Sequence, residues 1–158
     1  MRVSLIDLEA FLQNSELLIE RIDKEEDLND SPNLLYVDQA WAGINFLLTG
    51  EDIESDHELG EVMLPDLVID EAQDLGYGPA MYLLPERVKE LHEQIFNIGT
   101  KELQARYDAD TMEELGIYPG NWQNDEEMFP YLSEYFEEVQ GFYADAAKNK
   151  EAIIVYLT

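Results

Sequence analysis

His57 and His92 are the only two histidines in this chain of 158 residues, and no cysteine accompanies them. They are the only side chains whose ordinary pKa would let them shuttle protons near neutrality. Neither stands in a His-Glu-x-x-His spacing, and without thiols there is neither a thiolate metal site nor a cysteine nucleophile. His92 sits one position from the apolar stripe Val88, Leu91, Ile95, which predicts a partly buried structural role; His57 lies in an acidic, solvated loop. The 36 Asp and Glu residues offer no unique acid–base pair, because a glycosidase site is defined by the separation of two carboxylates in space. Asp108-Ala109-Asp110-Thr111-Met112 opens like a calcium loop, but Glu113 stands where the sharp turn needs glycine, leaving only weak, adventitious divalent binding. Gly76-Tyr77-Gly78-Pro79 lacks the spacing and the Lys of a phosphate cradle and reads as a sharp turn into a strand. Gly-x-Ser-x-Gly and Ser-x-x-Lys are both absent. No catalytic residue, cofactor or metal site is expected, and the reading leans away from an enzyme.

Aromatic side chains give the more useful signal. Trp41, Tyr77, Tyr118 and Trp122 fall in or beside turns and helix ends, where rings line clefts or anchor interfaces. The apolar neighbours of Trp41 favour core packing, whereas Trp122, between Asn121 and Gln123, is expected to be accessible. With Asn45 and Tyr82 these four make up the candidate interface or cleft residues, the cleft expected near residues 76–82, Tyr118 and Trp122.

These residues need elements to hold them. Ser4 can cap a helix that carries Leu5, Leu8, Phe11, Leu12, Leu18, Ile19 and Ile22 at helical period. The charged, proline-containing stretch 23–33 predicts an exposed loop. Residues 38–50 read as a mostly buried helix with Asp38 as N-cap and Gly50 as a left-handed C-terminal residue. Residues 51–60 form an acidic loop, and 62–72 read equally as a strand or as a short helix begun at Pro65. Residues 80–84 predict a buried strand, and Pro85 starts the next helix. Thr100 can cap a short helix through Arg106, and Thr111-Met112-Glu113-Glu114 is a capping box for another that stops at Gly116. The longest helix runs from about Glu126 or Pro130 to Ala147, with Met128, Leu132, Tyr135, Phe136, Val139, Phe142, Tyr143 and Ala146 on its apolar face. Residues 152–157 are β-branched and unbroken, as in a strand buried in the middle of a sheet. No repeat or linker divides the chain, so 1–158 reads as one domain.

Composition sets the outer bounds. With 46% hydrophobic and 11% aromatic residues the chain is globular rather than a disordered acidic tail. The longest nearly uncharged run, residues 40–48, is about half of the roughly 20 residues that span a bilayer. Asp7 and Glu9 interrupt any secretory core near the start, so a cytoplasmic location is expected. Nine bases against 36 acids give a net charge of −27. Between Lys24 and Arg87 there are sixteen acids and no Lys or Arg, and residues 107–147 carry eleven more acids without a base. That field disfavours direct nucleic-acid and membrane contact and steers cationic proteins. It also accounts for solubility, or adaptation to a salt-rich cytoplasm, without any partner.

Four ordered segments together resemble the YfbM-like family of small bacterial proteins, which has no assigned function. They are Asp38-Gln39-Ala40-Trp41-Ala42-Gly43-Ile44-Asn45-Phe46-Leu47-Leu48-Thr49-Gly50, then Gly76-Tyr77-Gly78-Pro79-Ala80-Met81-Tyr82-Leu83, then Ile117-Tyr118-Pro119. The last is Phe142-Tyr143-Ala144-Asp145-Ala146-Ala147 followed by Ala152-Ile153-Ile154-Val155-Tyr156-Leu157. Asn45 stands where the family's Trp-x-x-Leu-His-Phe pattern has histidine, and only Met1 to Val3 precede the first helix where relatives open with a strand. The resemblance implies a helix-rich α+β fold, a small, mainly buried sheet packed among several helices, and transfers no catalytic residue. Two functional expectations remain open. One is an acidic cytosolic binding protein that docks a basic protein, in the manner of an antitoxin or immunity protein. The other is a small-ligand binder or enzyme with an aromatic-lined cleft.

Overall fold

The strand at residues 152–155 organises the molecule. The computed structural model describes residues 1–26, 31–54 and 56–158, and its sheet has four antiparallel strands: β1 (Arg2–Val3), β2 (Leu67–Val68), β3 (Met81–Leu83) and β4 (Ala152–Val155). Their order is β1-β4-β3-β2, with Arg2 opposite Ile153, Tyr82 opposite Ile154 and Leu67 opposite Tyr82. Side chains alternate across a pleated strand, and β4 is apolar on both faces. Ala152 and Ile154 join one core with Leu8, Phe11, Leu18 and Ile22, whereas Ile153 joins the other with Leu83, Leu91, Phe136 and Tyr143. One helical layer therefore covers each face of the sheet.

The first layer is α1 (Leu5–Gln13) and α2 (Glu16–Glu26), which corrects the expected single helix. Ser4 caps α1 as anticipated, its Oγ accepting from the Asp7 N–H. Asn14 then breaks the run: its backbone is extended, and its side chain accepts from the Glu16 N–H and so starts a second helix. Apolar spacing that bridges such a break looks continuous in the sequence. Nor is the whole of 23–33 an exposed loop. Helix α2 continues to Glu26, and the buried Glu25 carboxylate accepts from Ser31 Oγ and from Arg21 Nη1. Residues 27–30 of that expected loop lie outside the described residues.

The second layer holds α3 (Ala40–Thr49), a 3-10 segment at Glu58–Val62, α4 (Pro85–Ile95), α5 (Thr100–Ala105), α6 (Ala109–Glu114) and α7 (Asp125–Asn149). The stretch left open at 62–72 contains β2 and the end of the 3-10 segment rather than an α-helix. Gly50 takes the left-handed conformation expected after α3, with φ +76°. Gly99 rather than Thr100 caps α5. Helix α6 starts earlier than the capping box suggests, because the Asp108 carboxylate accepts from the Thr111 N–H and from Thr111 Oγ1. Glu113 is thereby freed from helix capping and accepts instead from the Trp122 N–H. The long α7 packs on α3 and α4 through the stripe expected of it, burying Leu132, Phe136, Val139 and Tyr143. None of the helices among the described residues is long and apolar enough to cross a membrane.

Trp122 is the main correction to the sequence reading. Its polar neighbours suggested exposure, yet it is fully buried, its indole N–H donating to Ile117 O at 2.8 Å and its own carbonyl accepting from the Tyr107 hydroxyl. The ring edge rests on Gly43 of α3, where an added Cβ would come within 2.8 Å of Trp122 and 2.7 Å of Leu132. Gly43 thus lets α3 approach Leu132 of α7 and the Trp122 ring closely.

Candidate functional site

Between the start of α3, the turn at Gly76-Tyr77-Gly78, α7 and the end of β4 the molecule forms a cavity of about 600 Å³ with a broad opening to solvent. Its floor is apolar and buried, built from Val62, Met63, Val139, Tyr143, Ile153 and Ile154. Its rim is aromatic: Trp41, Tyr36, Tyr77 and Tyr118. A cavity of this size with an apolar interior and few polar groups has the form of a small-molecule site.

Local structure explains each part of the rim. Gly76 and Gly78 adopt φ +128° and +104°, and a Cβ on Gly76 would lie 3.3 Å from Thr158 Cα, so the turn requires glycine at that approach. The Asp74 carboxylate accepts from the Gly76 and Gly78 N–H groups, which closes the turn and leaves Tyr77 80% exposed at its tip. Tyr118 leads into a cis bond with Pro119 and stacks on Trp41 with ring centroids 6.2 Å apart at 30°. Trp41 is only partly buried, its ring packed against the core on one side and lining the cavity on the other.

The hydrogen bonds that close the turn hold the Asp74 carboxyl below its usual value of 3.8. A depressed carboxylate contributes stability that is present above the unfolded-state pKa and lost as pH falls through the folded-state one. Asp74→Ala is therefore expected to lower the melting midpoint at neutral pH, with the difference from the parent vanishing in acid below both values. A pH series of melting curves checks the sign.

Asp38 supplies the one charged side chain in the lining among the described residues. Expected as the N-cap of α3, it instead precedes the cap, Gln39, and sits at φ +46°, in the left-handed region. A non-glycine residue held there costs about 1–2 kcal/mol, and such strain concentrates at functional sites. Tyr131 on α7 holds it: the phenol donates to Asp38 Oδ2 at 3.0 Å and accepts from the Gln39 N–H at 3.1 Å. Burial and the Asp38 carboxylate push the Tyr131 phenol up to about 12, so it stays a donor at all ordinary pH. The Met1 amino group, which also borders the cavity, is pushed down to about 5 by burial and by Arg2 and is neutral at pH 7. Arg2 itself lies 5.1 Å from the Phe142 ring centroid and is paired with Asp145 and Glu151.

Of the six candidate residues, Trp41, Tyr77 and Tyr118 converge on this cavity. Asn45 does not: it is buried, donates to Asp52 O at 3.2 Å, and borders a separate pocket of about 140 Å³ beside His57, Glu58 and Glu61. Tyr82 sits within the sheet and packs toward the α1–α2 core, and Trp122 lies in the opposite core. Tyr36 and Tyr131 escaped the sequence reading, in which Asp38 is only a helix cap, since nothing in a chain of letters joins positions 38 and 131. His57 caps the 3-10 segment, its Nδ1 accepting from the Leu59 N–H, and His92 packs edge-on against Phe96. Among the described residues no group of His, Cys, Asp or Glu is arranged to hold a metal ion.

A family model described as a domain of unknown function (DUF1877) matches residues 1–156. Among solved structures, the chain is similar to the crystal structure of YfbM from Escherichia coli, a protein of unknown function, with a TM-score of 0.72. Sequence identity is 14%, and the match covers 99% of this chain and 96% of that chain, so the likeness is one of fold. No curated protein matches the sequence.

Proposed function

The chain belongs to the YfbM-like family described as a domain of unknown function (DUF1877), and from that starting point we propose that it is a small-molecule binding domain. The observation that carries this reading is the cavity of about 600 Å³ with a buried apolar floor and a rim of Trp41, Tyr36, Tyr77 and Tyr118. Such a site takes the apolar body of a ligand inside and clamps it between rings at the mouth. The reading assigns no bond-making chemistry to the cavity. Its setting is taken to be a bacterial cytosol, to which a cysteine-free chain is suited.

The two tryptophans make the test simple, because Trp41 lines the cavity and Trp122 is fully buried in the core. Titration with meta-tert-butylphenol, a neutral apolar aromatic, is expected to change tryptophan emission saturably. The change should disappear in Trp41→Phe and persist in Trp122→Phe. Tyr118→Ala, which removes the ring stacked on Trp41, should weaken binding about threefold to tenfold, the worth of one aromatic pair at the rim. A linear, unsaturable response identical in all variants would overturn the reading.

A second reading, docking of a basic protein, draws its support from the net charge of −27 and the two long base-free stretches. It requires a discrete complex whose association rate falls steeply as salt rises. Binding of the phenol with no such complex favours the cavity reading alone.

A further inference from the structure

Resting on that reading of the cavity, we infer that its ligand is a small organic cation: an apolar or aromatic body with an ammonium-type head seated between Asp38 and the Trp41–Tyr118 ring pair. Three independent features converge on this charge. The lining holds one charged side chain, the Asp38 carboxylate, and no Lys, Arg or His among the described residues. The mouth is built of rings, whose negative π-faces attract a cation and do nothing for an anion. The Asp38 backbone is held in the left-handed region, and its carboxylate is oriented by the Tyr131 hydroxyl on Oδ2, the one oxygen engaged among the described residues. A carboxylate accepts at two oxygens, so Oδ1 remains able to face a positive head.

The wider field acts in the same direction. A net charge of −27 raises the local concentration of cations around the mouth and repels anionic metabolites. Arg2 does not reverse it, since its guanidinium lies against Phe142 and is paired with Asp145 and Glu151. An anionic ligand would have to enter past Asp38 with no cationic side chain among the described lining residues to receive it.

The test uses three probes of one shape on the full chain: meta-hydroxyphenyltrimethylammonium, its neutral isostere meta-tert-butylphenol, and the anion meta-hydroxybenzenesulfonate. Affinities are read by calorimetry. The cation should bind about tenfold tighter than the neutral isostere, the sum of a cation–π contact and an ion pair at a solvent-accessible mouth, and the sulfonate should be weakest. Raising salt should shrink the preference for the cation and leave the neutral probe unchanged. Asp38→Asn keeps a residue that tolerates the left-handed conformation and can still accept from Tyr131; it should reduce the preference to about threefold or less. Should that variant fail to fold, the three affinities of the parent protein decide the matter alone. Equal or tighter binding of the neutral probe overturns the charge assignment and leaves the cavity reading standing, whereas no binding of any probe overturns both.

Discussion

Trp122→Ala is expected to lower the unfolding free energy by about 3–5 kcal/mol, the range for removing a large aromatic side chain from a core. The ring is fully buried, so no exposed surface softens the loss. Its N–H donates to Ile117 O, which would lose its donor, and its packing on Gly43 and Leu132 would give way to a void. Since a domain is stable by only about 5–15 kcal/mol, this one change removes a large share of the total. Trp122→Phe, which keeps a ring but no donor, should fall between the parent and Trp122→Ala. Urea unfolding followed by far-ultraviolet circular dichroism measures all three, and a loss below about 1 kcal/mol for Trp122→Ala would show that the ring is not the keystone of this core.

Gly43→Val should be nearly as damaging for the opposite reason. A Cβ at that position already meets Leu132 Cδ2 at 2.7 Å and Trp122 at 2.8 Å, closer than real Cβ contacts come. Neither neighbour can withdraw easily, because Leu132 and Trp122 are both fully buried and the indole is fixed to Ile117. Overpacking costs about 1–3 kcal/mol and sometimes more, and a β-branched side chain at this approach belongs at the upper end. At roughly 2–4 °C per kcal/mol for a domain of this size, the melting midpoint should fall by roughly 10 °C. The two sites touch, so they should not be additive. The Gly43→Val, Trp122→Ala double variant should be more stable than the sum of the two losses implies, because the alanine removes one of the two groups that the valine strikes. Strict additivity would place the strain elsewhere.

These two residues also show where the sequence was readable. The apolar period of α7, the unbroken β-branched run of β4 and the Gly50 stop of α3 were all visible, because each is a local pattern enforced by local physics. Gly43 and Trp122 were not readable in the same way. A glycine inside a helix and a tryptophan between Asn121 and Gln123 acquire their meaning only from each other, across a contact that the sequence does not encode locally. The same holds for the cavity. Trp41, Tyr77 and Tyr118 could be picked out as aromatics beside turns, but Trp122 fits that description equally well and is buried elsewhere. Asp38 looked like an ordinary helix cap; its displacement from that role depends on the Tyr131 hydroxyl arriving from α7. Where the break at Asn14 split the first helix, a side chain competed with the backbone, and the apolar spacing on either side concealed it.

The central claim, that the aromatic-rimmed cavity is the functional site, is tested most directly by two-dimensional NMR of the isotopically labelled protein titrated with meta-hydroxyphenyltrimethylammonium. The account predicts saturable shifts confined to residues 34–41, Val62, Met63, Tyr77, Tyr118, residues 139–143 and the end of β4, with the Trp41 indole moving and the Trp122 indole still. Shifts scattered over the acidic surface and reversed by salt, or none at millimolar probe, would contradict it.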